Sequence, residues 1–163
     1  MARSDVGRSA CVAAGAPATL VALAGQPAVK ASAEAARRVA SALSDVACSD
    51  AGESACVAAG APTALVALAG QPAVKASAEA AQDVLRALSN LAASEAGASA
   101  CVAASALAVL VELAGQPAVK AERTGLAHPI SLALASIAVC NDACRAACVA
   151  AGALTALDRR AHV

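Results

Sequence analysis

Apolar residues recur along this chain at helical spacing, and the clusters they form recur in turn. Between residues 72 and 93, Val74, Ala81, Val84, Leu88 and Leu91 lie near one helical side, and the polar side chains of Gln82, Arg86 and Asn90 alternate with them. That pattern predicts one long helix from Pro72 to about Ala93. Upstream, Leu65, Val66 and Leu68 face inward from a shorter predicted helix with Pro62 in its first turn and Gly70 at its end. Before it, residues 54–59 read as another short helix, stopped at Gly60, where glycine takes the left-handed backbone at low cost. The expected unit has three helices.

The whole pattern repeats. Cys11, Cys56 and Cys101 stand 45 residues apart, each in an Ala-Cys-Val-Ala-Ala block, and Gly25-Gln26-Pro27, Gly70-Gln71-Pro72 and Gly115-Gln116-Pro117 follow at the same interval. A fixed period of this length predicts a solenoid, in which each unit buries its apolar face against the next and none is stable alone. Ser4-Asp5 matches Ser49-Asp50, so the first residues already stand in the repeat register and no separate leader is expected. The third copy departs from the plan. Glu122-Arg123-Thr124-Gly125 and His128-Pro129 interrupt its long helix, which predicts a bent or two-piece helix restarting near Pro129. Cys148 follows Cys101 by 47 residues, and the segment after it supplies two helices of a fourth unit with a polar end at Asp158, Arg159 and Arg160.

Composition supports helices. The 163 residues are 60% apolar with no Phe, Trp or Tyr, and alanine supplies roughly a third of them, where strands would want β-branched and aromatic side chains. Without rings, stacked recognition of single-stranded nucleic acid has no platforms. Twelve basic and twelve acidic residues leave a formal net charge of zero, so no global field draws in a polyanion. Nucleic acid is therefore not an expected partner. The uncharged runs 9–29 and 54–74 are long enough to raise a membrane span, but Gly-Ala-Pro and Gly-Gln-Pro interrupt each, and membrane insertion is not expected. Of the seven cysteines, Cys11, Cys56, Cys101 and Cys148 share one repeat position, which suits small buried side chains touching the next layer. Unpaired thiols fit a reducing compartment: the cytoplasm, with the nucleus as the other choice.

The order Val57-Ala-Ala-Gly-Ala-Pro-Thr-Ala-Leu-Val-Ala-Leu, followed by an alanine-rich helix ending in Ala87-Leu-Ser-Asn-Leu-Ala, resembles the armadillo repeat. The likeness covers nearly the whole chain as one domain, 1–163, with units at about 5–48, 50–93, 95–140 and a partial fourth at 142–163. It implies an all-α, right-handed solenoid of three-helix repeats whose third helices line a concave groove. In that family an asparagine near the end of each third helix commonly holds the backbone of an extended peptide. Asn90 matches; Asp45 and Ser136 occupy the equivalent positions, so a regular asparagine ladder is absent. The aromatic usually found one turn earlier is replaced by Ser41, Arg86 and Leu132.

A second argument reaches the same surface. Copies one and two agree at roughly three-quarters of aligned positions, and their largest cluster of differences sets Arg37 against Gln82, Ser41 against Arg86 and Asp45 against Asn90. Steps of four keep side chains on one helical face. A polar stripe thus changes from unit to unit while the packing residues stay fixed, and the third copy continues it with His128, Leu132 and Ser136. Such variation suits a surface that reads different parts of one partner; drift on an unconstrained solvent face would produce the same pattern.

Residues for chemistry are sparse. Cys140, Cys144 and Cys148 are spaced by four, but a turn near Asn141-Asp142 separates the first, and no histidine is close in sequence for a metal site. His128 precedes a proline as a loop or cap residue would, and no nucleophile accompanies the carboxylates Glu34, Asp45 and Glu79. Lys30, Lys75 and Lys120 recur at equal intervals, as solubilising charges or as a basic ladder. No enzyme, cofactor or metal is expected. The expected role is a protein-interaction scaffold holding a protein or peptide along Arg37, Ser41, Asp45, Gln82, Arg86, Asn90, Leu132 and Ser136. The alternative is a solenoid segment that spaces attached domains and binds nothing itself. Oligomeric state is open at this level.

Overall fold

A computed structural model describes residues 5–116, 135, 137–138 and 142–150, and every regular element among them is α-helical. The first unit contains α1 (Asp5–Ala13), α2 (Ala16–Ala24), α3 (Pro27–Ala31) and α4 (Ala33–Val46). The second repeats it with α5 (Asp50–Ala58), α6 (Ala61–Ala69), α7 (Pro72–Lys75) and α8 (Ala78–Leu91). The third opens with α9 (Glu95–Ala103) and α10 (Ala106–Gly115), and a further helix, Asp142–Ala150, packs on α9.

The glycine and proline punctuation works as the pattern predicts. Gly15 and Gly60 adopt φ of 72° and 81°, and the helices on either side meet at 70° and 74°. Nothing lies within 4 Å of the place where a Cβ would stand at either glycine, so backbone conformation is what selects them. Pro17 and Pro62 then occupy the first turn of α2 and α6, where their missing N–H is not needed. In the third unit Ser105 takes the same left-handed corner at φ 63°.

The expected single long third helix is in fact two. Ser77 is extended (φ −117°, ψ 116°) and its hydroxyl accepts from the Ala80 N–H at 3.3 Å, ending α7 and capping α8. Ser32 does the same between α3 and α4, accepting from Ala35 at 3.2 Å. Each of the first two units therefore holds four helices, with the extra turn between Gln71 and Ala81. The interrupted third helix expected at His128-Pro129 lies outside the described residues.

Successive units stack like on like: α1 against α5 against α9, α2 against α6 against α10, and α4 against α8. One continuous apolar core runs through the stack, with Leu43, Leu65, Leu68, Val74, Val84, Leu85, Leu88, Leu91, Leu110 and Leu113 almost completely buried. Of the expected inward residues of α6, Leu65 and Leu68 are buried and Val66 is half-buried. Glycine lets the first helix of a unit approach the end of the preceding long helix this closely. A Cβ at Gly52 would fall 1.9 Å from the Val46 carbonyl oxygen, and one at Gly97 would fall 1.7 Å from that of Leu91. The helix starts are locked in turn by Ser49 and Ser94, which accept from the Gly52 and Gly97 N–H groups at 3.2 and 3.1 Å. Among the described residues no single helix is long and apolar enough to cross a membrane.

Candidate functional site

The long helices α4 and α8 lie side by side, which sets Arg37, Ser41 and Asp45 of one unit next to Gln82, Arg86 and Asn90 of the next. Both helices are strongly amphipathic: one side of α8 buries Val84, Leu88 and Leu91, while Arg86 is exposed and Gln82 and Asn90 are half-buried on the other. The stripe read from the sequence is thus a continuous surface across two units. Leu132 and Ser136, its expected continuation, lie outside the described residues.

Much of the stripe is already wired together. Arg86 Nη2 donates to Asp83 Oδ1 at 2.7 Å and to the Ser41 hydroxyl at 3.3 Å, tying one unit to the other at equivalent positions. Arg37 donates to Glu34 at 2.9 Å and faces Asp83 Oδ2 at 3.6 Å. Asp83 therefore sits between two guanidinium groups with its side chain 10% exposed, a geometry that offsets the cost of covering its charge. Asn90 Nδ2 donates to the Ser44 carbonyl oxygen at 3.2 Å, to the Ser44 hydroxyl at 3.0 Å and to the Cys48 sulfur at 3.3 Å. Its amide nitrogen is committed to the stack. Asp45 and Gln82 stand beside this network rather than within it.

Asp83 and Ser44 are the site residues that sequence reasoning passed over. A signal existed for Asp83, because the equivalent residue in the first unit is Arg38, a reversal of charge beside the stripe. At the head of α4, Glu34 accepts two hydrogen bonds from Arg37, at 2.9 and 3.0 Å, and one from Arg38 at 2.7 Å, and these pairings hold its carboxyl down at about 2. A shallow depression of about 460 Å³ opens here between the starts of α4 and α8, lined by Ala33, Glu34, Arg37, Ser77 and Glu79.

The remaining candidates are structural by their surroundings. Burial raises the Cys56 thiol to about 11 and the Cys101 thiol to about 12, so both stay protonated and inert at neutral pH. Cys144 and Cys148 are buried against the same core. Among the described residues no group of three His, Cys, Asp or Glu side chains could hold a metal ion. Lys75 pairs with Glu112 of the next unit at 2.5 Å, so this lysine links layers as well as carrying charge. Cys140, Lys120 and His128 lie outside the described residues.

No protein family matches the chain, and no curated protein does. Among solved structures it is similar to a designed armadillo repeat protein in complex with the peptide (KR)4, with a TM-score of 0.79 at 23% identity. The match covers 95% of this chain and 61% of that one, so the chain spans about three-fifths of the designed protein's length. The likeness shows an armadillo-type helical solenoid.

Proposed function

We propose that this chain is a non-catalytic scaffold that holds an extended segment of a partner protein along the surface of α4 and α8. The observation that carries the reading is the joined stripe: the side chains that differ most between two nearly identical units lie on adjacent helices of one face. The armadillo-type fold supports it, and the designed protein of that fold carries a peptide. On this reading Asp45 and Gln82 contact the ligand directly, and Asn90 accepts a ligand N–H through its carbonyl oxygen. Arg37 and Arg86, already partnered by carboxylates, present the outer edges of their guanidinium groups. Leu132 and Ser136, outside the described residues, are the contacts proposed from the sequence for the third unit.

The test starts from peptides selected by display against the whole chain. The double variant Asp45→Ala, Gln82→Ala should lose at least about tenfold in affinity, about 1.4 kcal/mol, with an unchanged circular dichroism spectrum. Full affinity in that variant would remove this face from the proposal. Asn90→Ala is the less clean probe, because it also breaks the bonds to Ser44 and Cys48.

A further inference from the structure

The seam between α4 and α8 carries charge from both units, and that charge is cancelled from within. Arg37 donates to both carboxyl oxygens of Glu34, at 2.9 and 3.0 Å, and lies 3.6 Å from Asp83. The Glu34 bonds raise the Arg37 guanidinium above its ordinary value, and the fields of Asp83 and Glu79 add to them. Arg86 depends on Asp83 alone. Its Nη2 donates to Asp83 Oδ1 at 2.7 Å and to the Ser41 hydroxyl at 3.3 Å, and among the described residues Asp83 is the carboxylate with which it pairs.

Burial separates the two members of this pair. The Asp83 side chain is 10% exposed and that of Arg86 47% exposed, so a ligand along α4 and α8 meets the guanidinium while the carboxylate acts from beneath it. From there Asp83 withdraws the positive potential that an acidic side chain of the ligand would need. Packing of the repeat does not demand this carboxylate. In the first unit Arg38 stands at the equivalent position, whereas the core positions beside it keep Val39 and Val84, Leu43 and Leu88.

We infer, on the scaffold reading proposed above, that Asp83 is the specificity-determining residue of this surface: by neutralising Arg86 across the seam it makes the partner's stretch there an uncharged one. An acidic or basic side chain would give up hydration at the seam without gaining an ion pair, because Arg37, Arg86, Glu34 and Asp83 are already engaged with one another. Uncharged acceptors fit better. Arg86 makes its bonds through Nη2, and the N–H groups on its Nε and Nη1 suit the carbonyl oxygens of main chain, Asn or Gln.

The experiment titrates the full chain with short blocked peptides of glutamine, glutamate and lysine, reading the amide NMR signals of Gln82 and Arg86. The parent should favour glutamine over both charged peptides. Asp83→Asn keeps the side-chain shape and uncovers Arg86, so it should bind the glutamate peptide at least about fivefold more tightly than the parent at low salt, a gain that high salt removes. Arg86→Gln, at an exposed position, should shift the order toward lysine, and it decides the outcome alone if Asp83→Asn fails to fold. Asp50→Asn makes the same change in net charge at the head of α5 and should keep the order of the parent. A parent that already favours a charged peptide, or an unchanged order in either folded seam variant, would overturn the inference. Display-selected peptides that ignore Asp45→Ala, Gln82→Ala would remove the scaffold face itself, whereas an unchanged order here removes only the role of Asp83.

Discussion

The first and second units carry nearly the same sequence and live in different environments. In α6, Pro62, Leu65, Leu68 and Ala69 are all buried, whereas in α2 burial is complete only at Pro17 and Ala24. The difference comes from neighbours: the second unit is covered on both sides and the first, among the described residues, on one. In a repeat protein the energetic weight of a residue type is thus set by its layer, because stability is a sum of unit terms and interface terms.

The largest expected effect tests this directly. Leu68→Ala should cost about 2–5 kcal/mol, as removing a fully buried leucine does, while Leu23→Ala at the equivalent position should cost about 1 kcal/mol or less. Urea denaturation of the two variants decides it. Equal losses would mean that the layers are not distinguished by burial.

A smaller effect uses the thiols. Cys11 and Cys56 occupy the same position, but Cys56 is buried and raised to about 11 while Cys11 is half-buried. At pH 8 only about one Cys56 in a thousand would be the reactive thiolate even with full access. Native-state labelling with a thiol reagent should modify Cys48 and Cys11 at least about a hundredfold faster than Cys56 or Cys101. Comparable rates would show that the second layer opens as readily as the first.

Much of this was legible in the sequence. The period, the corners at Gly15 and Gly60, the buried face of α8 and the polar stripe all follow from spacing and residue type. The break at Ser32 and Ser77 was not, because alanines on both sides fit a continuous helix and one extended residue leaves the apolar period almost unchanged. The wiring of the stripe was equally hidden. Arg86 reaches Ser41, and Asn90 reaches Ser44, only because α4 and α8 run side by side, and residues 45 apart in sequence carry no record of which polar atoms will meet.

A further contrast separates the second and third units at one corner. Gly60 takes φ 81° without a Cβ, whereas Ser105 takes φ 63° with one, a conformation that costs an ordinary residue about 1–2 kcal/mol. Ser105→Gly should therefore stabilise the chain by about 0.5–1 kcal/mol, since the added freedom of glycine in the unfolded state offsets part of the gain. Gly60→Ala should destabilise it by about 1 kcal/mol. Thermal melts of the pair give the signs, and a loss in Ser105→Gly would show that its side chain contributes more than its backbone costs.

The smallest effect lies at the heads of the long helices. Glu34 has Arg37 and Arg38 one turn on, whereas the equivalent Glu79 has Gln82 and Asp83 there. Hydrogen bonds from Arg37 and Arg38 lower the Glu34 carboxyl from 4.5 to about 2 in the folded chain. The folded state therefore holds this proton less tightly than the unfolded state, and folding is favoured wherever the carboxyl is ionised. The contribution is complete above about pH 4.5 and disappears as pH falls toward 2. Because Glu34 is exposed, salt screens the pairing and the contribution is small. Carboxyl NMR should find the Glu34 midpoint near 2 at low salt, moving toward 4.5 in Arg37→Gln or at high salt. A midpoint near 4.5 in the parent chain would show that the arginine pair at the head of α4 is not formed in solution, and would erase this difference between the first two units.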